Sequence, residues 1–185
     1  MKRARIILLS GLVAVTALSF TAKTQDADKQ ALIGIEDKFA AQTTPGPDLG
    51  ALVKQYTLDG PLDQLTPHGR IGSMAKARVA ELQGKPDPTD PDVKSTTKNS
   101  DYHVDIFGDT AVVMYKETNT DVGHKDPAFN ATEHFGCLDT FVKRSGQWYE
   151  VANACTPSSP LPAAEWTATK KAITEEPKDV QQAYH

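Results

Sequence analysis

His103 and Asp105 stand two apart in the alternating segment Tyr102-His103-Val104-Asp105-Ile106, so a strand would set both on one face. A carboxylate beside an imidazole can orient it for proton transfer, and this pair is a candidate acid–base couple. The same alternation also describes a solvated strand face, because Tyr102, Val104 and Ile106 already supply the apolar side; that reading is preferred. His134 follows Glu133 at the start of another strand and is either a residue of a pocket mouth or an exposed edge residue. His124 lies between Asp121 and Asp126, but the spacing matches no ligand pattern, and loop polarity accounts for it. No metal or cofactor is expected. Gly108-Asp109 and Ser145-Gly146 are hairpin turns rather than a phosphate-binding loop, and no serine sits in a Gly-x-Ser-x-Gly elbow.

The elements that would position these groups fall in two blocks. Asp28 caps a helix carrying Leu32, Ile35, Glu36 and Phe39. After a break at Thr43–Pro47, Asp48 starts a second helix with Leu49, Leu52, Val53 and Tyr56 on one stripe. Ser73 caps a third, with Ala75, Val79 and Leu82 on one face and Gly84 as its stop. Prolines at 86, 88 and 91 make a loop. Strands follow: Tyr102–Ile106 turning at Gly108-Asp109 into Thr110–Thr118, then Glu133–Arg144 turning at Ser145-Gly146 into Gln147–Thr156. Tyr102 and Tyr115 are cross-strand partners, as pocket phenols or as aromatic core. Helices first and an antiparallel meander afterwards predict an α+β domain.

A two-residue Ser145-Gly146 turn pairs Arg144 with Gln147. Leu138, Thr140, Val142, Tyr149, Val151 and Asn153 then share one face, and Asp139, Phe141, Lys143, Trp148, Glu150 and Ala152 the other. The first face is apolar with one amide and is assigned to a pocket; the second is assigned to the exterior. A bulge would shift partners by one and bury Asp139 beside apolar groups, so the tight register is preferred. In that register Cys137 and Cys155 point to opposite faces and cannot bond; in the bulged one they share a face at a diagonal. Their bonding state stays open.

Lys2, Arg3 and Arg5 precede an uncharged run from Ile6 to Phe20. That run is too short to span a membrane but has the form of a secretory leader, with cleavage after Ser19 or Ala22. The 185 residues divide into a signal peptide (1–22), one domain (23–156) and a tail (157–185) marked by Pro157, Pro160 and Pro162 and docked, if at all, by Trp166. The product is expected to be secreted or periplasmic. The whole chain carries a net charge of −4, and removal of the leader makes it more acidic. Without a Lys/Arg cluster, nucleic acid and anionic membrane surfaces are excluded as partners.

Three motifs carry a family resemblance: Thr66-Pro67-His68-Gly69-Arg70-Ile71-Gly72-Ser73, Phe107-Gly108-Asp109-Thr110-Ala111-Val112-Val113, and Asp139–Trp148 with its Lys143-Arg144-Ser145-Gly146 turn. In their order they resemble the SnoaL-like branch of the nuclear-transport-factor-2-like superfamily over residues 29–156. The resemblance implies a cone-shaped α+β barrel, with helices on a curved sheet, a mostly apolar pocket, and frequent self-association through the outer sheet face. Ketosteroid-isomerase-type members use a carboxylate base with a tyrosine and a protonated aspartic acid. The resemblance lays these roles on Thr66, Phe39 and Leu138, none of which can perform them.

The expectation is therefore a domain binding a small apolar or amphipathic molecule among Phe39, Tyr56, Thr66, Leu138, Thr140, Tyr149, Val151 and Asn153. The alternative is an isomerase, cyclase or hydrolase using His103/Asp105 or His134. A homodimer is expected through Phe141, Trp148 and Ala152, since adjacent exposed aromatics make an interface patch.

Overall fold

The computed structural model describes residues 13–66, 69–86, 88, 90–158 and 178–183, with side chains from Gln25 onward. Pro67 and His68 of the first motif, the start of the leader, and Pro160, Pro162 and Trp166 of the tail lie outside the described residues. Among the described residues, four helices, α1 (Val13–Ala40), α2 (Pro47–Tyr56), α3 (Lys76–Gly84) and α4 (Lys178–Ala183), accompany seven strands. The strands are β1 (Thr43–Thr44), β2 (Pro61–Leu65), β3 (Ile71–Ala75), β4 (Lys94–Phe107), β5 (Thr110–Val122), β6 (Thr132–Arg144) and β7 (Gln147–Pro157). They form one sheet in the order β1-β4-β5-β6-β7-β2-β3, antiparallel except where β2 runs parallel to β7. The architecture is α+β: a curled sheet whose concave face is covered by helices.

The two long hairpins lie where the alternation places them. Ser145 (φ 52°) and Gly146 (φ 84°) both adopt left-handed backbone, as a two-residue hairpin turn requires. Arg144 faces Gln147 and Phe141 faces Glu150, the tight register. Beyond Phe141 the register shifts at a bulge that leaves Val151 unpaired, so Thr140 faces Ala152 and Cys137 faces Cys155. Both proposed registers are thus present, one on each side of Val151. The cysteines are directly opposed, with Cα atoms 4.1 Å apart, and they are bonded.

The assignment of faces is reversed. Phe141 (1% exposed) and Trp148 (3%) fill the concave side, packed with Leu32, Ile35, Tyr56, Val104, Val113, Tyr115 and Phe135. Leu138 is 39% exposed on the convex face beside Met114, its partner on β5. Area explains the reversal: a Phe–Trp pair removes more apolar surface from water than Leu138 and Val151 would. It does so even though Asp139 and Glu150 travel inward with it. Phe141 and Trp148 are therefore unavailable as an interface, and Ala152 lies across the bulge on the other face.

Three further differences concern local structure. Helix α1 continues back past Asp28 to Val13, through both candidate cleavage points. Ser73 is a residue of β3, not a cap; its Oγ donates to Asp63 Oδ1 on β2 at 2.7 Å. Strands β2 and β3 are short pieces with weak alternation, which sequence periodicity misses.

Helices α2 and α3 meet where neither has a side chain. A Cβ on Gly50 would lie 2.6 Å from the carbonyl oxygen of Ala80 and 3.2 Å from Gly84 Cα, so only glycine fits at 50.

The described segment 178–183 packs against the domain. Val180 of α4 is 5% exposed in a second apolar cluster with Val53, Leu62, Met74, Val79 and Ala80. Asp179 also accepts from Arg78 Nε at 2.8 Å. Truncation before Lys178 is expected to lower the unfolding free energy by about 1.5–3 kcal/mol, the burial value of one valine-sized side chain. Urea titration of the two forms checks this, and equal midpoints would refute the docking.

Candidate functional site

Beneath α1 the concave face gathers carboxyl groups that have no cation. Glu36 follows Leu32 and Ile35 on the buried stripe of α1 and is 4% exposed. Asp139 enters from β6 (4% exposed), Glu150 from β7 (9%) and Glu117 from β5. Among the described residues, no lysine, arginine or histidine pairs with any of the four. Charged forms are penalised by burial and by one another, so protons are retained.

Burial, then the charges of Asp139 and Glu150, holds Glu36 well above the usual carboxylate range. Glu150 is pushed up to about 8 by burial and by Asp139, with a hydrogen bond from Asn153 acting against it. Burial and Asp139 raise Glu117 to about 7. Asp139 rises less, to about 6, because Tyr115 and Glu36 hydrogen-bond to it. Tyr115 donates its hydroxyl to Asp139 Oδ2 at 2.8 Å, and burial beside these acids keeps the phenol protonated. As bare carboxylates, Glu36 Oε1 and Asp139 Oδ1 would have no partner. One proton shared between the two groups satisfies both.

This cluster adjoins a cavity of about 260 Å³ between α3 and the β2–β7 seam. Leu65, Met74, Val79 and Leu82 give it an apolar wall, and Gln64, Thr66, Gln83 and Asn153 place amides and a hydroxyl around it. Among the described residues no ionisable side chain lines it; Cys155, the remaining wall residue, is disulfide-bonded. Asn153 belongs to both regions. Its Nδ2 donates to Glu150 Oε1 at 2.7 Å, and its Oδ1 accepts from Gln64 Nε2 at 3.4 Å. Two larger hollows, of about 520 and 500 Å³, are open troughs along Lys54–Ala77 and along Ile71–Ser73. They enclose less of a guest than the cavity under α3, and the second shares Gln64, Leu65 and Asn153 with it.

Of the eight expected pocket residues, Thr66 and Asn153 line this cavity. Phe39 and Tyr56 meet edge to face at 6.3 Å within the helical layer. Leu138, Thr140 and Tyr149 lie on the convex face, and Val151 is the bulge residue. The histidine candidates are also outside the cone. His103 Nε2 and Asp105 Oδ2 are 3.2 Å apart, but both side chains are about half exposed or more (64% and 48%). His134 Nδ1 lies 3.0 Å from Thr118 Oγ1 on the same exposed face. His124 clamps a loop through Asp90 Oδ2 at 2.9 Å, while Asp126 caps the 3-10 turn Pro127–Phe129.

Sequence reasoning missed the acids. Asp139 is one residue beyond Leu138, where the resemblance looked for an acid donor, and Glu36 stands on the apolar stripe at i+4 from Leu32. That spacing was the available signal.

No family model matches the chain, and no curated protein matches it. Solved structures do. A protein of Kribbella flavida superposes with a TM-score of 0.60 at 12% identity, over 76% of this chain and 97% of that one. A nuclear transport factor 2 (NTF2-like) superfamily protein of Salmonella enterica serovar Typhimurium gives 0.57 at 17% identity, over 76% and 98%. The CaMKII hub of S. rosetta gives 0.52 at 17% identity, over 70% and 95%.

Proposed function

From the nuclear-transport-factor-2-like fold, which this chain has, we propose an exported binding domain for a small, neutral, amphipathic molecule. The observation that carries the reading is the 260 Å³ cavity with an apolar wall, four neutral polar side chains and, among the described residues, no ionisable lining. Its volume lies just under the roughly 300–1,000 Å³ of drug-sized ligand sites, so the guest is small. A charged guest would have to shed its hydration with no counter-charge to meet it. Catalysis by proton transfer needs the acid in contact with the guest. Here Asn153 stands between the cavity and Glu150, which favours binding over reaction.

The three sequence motifs support placing the chain in the SnoaL-like branch. The basic start and uncharged run support export to the periplasm or the medium, and a disulfide suits an oxidising compartment. Self-association, if it uses the sheet, involves Met114 and Leu138 on the convex face rather than the buried aromatics. Sedimentation velocity at rising concentration checks it.

Cyclohexanol, benzyl alcohol and indole are suitable neutral probes, each with an apolar body and one polar group. Saturation-transfer NMR is expected to detect them on the wild-type protein and on His103→Ala. Leu82→Trp should abolish the signal, because residue 82 is 38% exposed at the cavity wall and its enlargement blocks the space without entering the core. Equal signals from wild type and Leu82→Trp would refute this site.

A further inference from the structure

The Cys137–Cys155 bond lies at the boundary between the cavity and the acids, and its two sulfurs are not equivalent. Cys155 lines the cavity, whereas Cys137, directly opposite it on β6, is 5% exposed and does not. Glu117 reaches both, with a carboxylate oxygen and the two sulfurs all within 4.8 Å of one another. A cysteine at the cavity wall, a buried cysteine bonded behind it and an acid beside the pair are the components of an exchange reaction.

We propose that the cavity is a thiol–disulfide exchange site for low-molecular-weight thiols, with Cys155 as the attacked sulfur, Cys137 as the leaving group and Glu117 as its proton donor. This rests on the cavity assigned above and names the class of molecule it takes.

Access decides which sulfur is attacked. The incoming thiolate forms a new S–S bond to Cys155 Sγ as the Cys137–Cys155 bond breaks, and that bond's electron pair stays on Cys137 Sγ. A bare thiolate there would face buried acids and no cation, which disfavours the charge. The Glu117 proton passes to Cys137 Sγ, and the Glu117 carboxylate recovers a proton from solvent, where the thiol left its own. The products are a mixed disulfide on Cys155 and a Cys137 thiol. A second thiol of the same class attacking the mixed disulfide would release the small disulfide and leave both cysteines reduced.

Glu117 is supplied with a proton by its surroundings. Asp139 of β6, Glu36 of α1 and Glu150 of β7 stand on the same concave face, Tyr115 is two residues away on β5, and Asn99 of β4 is its cross-strand partner. Burial and Asp139 keep it protonated up to about pH 7. The neutral wall and the acids behind it favour a thiol whose body carries no charge over one that bears a further anionic group.

The test uses the oxidised full-length protein with 2-mercaptoethanol, quenched by iodoacetamide and mapped by mass spectrometry. The first product is expected to carry mercaptoethanol on Cys155 and the alkyl group on Cys137. Mercaptoethanesulfonate should react more slowly, after each rate is divided by its rate with the urea-unfolded protein. Glu117→Gln should slow the reaction of the folded protein roughly a hundredfold and leave only the pH dependence of the thiol's own ionisation, as seen with the urea-unfolded protein. Leu82→Trp, whose fold thermal melting verifies, should slow it to the rate of global unfolding. An adduct on Cys137, equal distribution, or a wild-type rate no faster than unfolding would overturn the proposal. If the neutral probes still bind while Cys155 is inert, the exchange site fails and the binding site stands. If Leu82→Trp blocks neither probes nor thiols, both fail.

Discussion

Trp148→Ala is expected to lower the unfolding free energy by about 3–5 kcal/mol and to leave the state of association unchanged. Trp148 is 3% exposed among Leu32, Phe141 and Val113 in the principal cluster. Its Nε1 donates to Asp28 Oδ1 at 3.1 Å, and Lys143 Nζ, which also binds Asp28, lies 5.3 Å from the ring centroid. The truncation therefore leaves a cavity in the core and removes one tie between α1 and the last hairpin. Set against the roughly 5–15 kcal/mol of an ordinary domain, the loss is large. Urea denaturation and sedimentation velocity read the two quantities separately. A variant of unchanged midpoint but altered sedimentation would restore Trp148 to the outer surface and contradict the fold described above.

Stability is expected to decline as pH rises from about 5 to about 8.5. In the unfolded chain the carboxyls lose their protons near their ordinary values. In the folded protein Glu150 holds its proton to about pH 8, Glu117 to about 7 and Asp139 to about 6, with Glu36 also raised. Between those limits the folded state binds more protons, so raising the pH favours unfolding. The stabilisation is complete below the unfolded values and is lost as the pH passes through the folded ones. Each strongly raised group contributes on the order of a few kcal/mol. Glu81 and Asp90, whose values are lowered by their ion-pair partners, act in the opposite sense but only at lower pH. Glu150→Gln keeps an acceptor for Asn153 and removes the charge, so it should flatten the profile and exceed the wild type in stability at pH 8.5. Calorimetry across this range checks both points; a wild-type midpoint constant or rising with pH would refute the buried cluster.

The α+β class, the two long hairpins and the Ser145-Gly146 turn were legible because alternation and turn residues are local signals. The reversal of faces was not. It depends on a comparison between the area of Phe141 and Trp148 and the desolvation of Asp139 and Glu150, and that comparison requires Tyr115, Glu36 and Asn153, which are distant in sequence. The disulfide was illegible for a related reason: a single register cannot describe a hairpin with a bulge at Val151. Thr66 and Asn153 were placed at the cavity, but Val79 and Leu82 were read only as a helix face packing on the core. Strands β2 and β3, which bring Gln64 and Met74 to the cavity, are stabilised mainly by neighbours rather than by their own pattern. The parallel pairing of β2 with β7 joins residues about 90 positions apart, as Gln64 and Asn153 illustrate.

The seam between α2 and α3 has a bearing on molecular selection. Gly50 and Gly84 bring the two helices together with no side chain between them, on the flank of α3 turned away from Leu82. The width of the binding space is thereby governed by a contact outside it. Any side chain at 50 must displace α3, and the displacement carries three cavity-lining residues with it. The range of molecules this protein accepts can consequently drift through positions that never touch a guest, while every residue in the cavity stays the same.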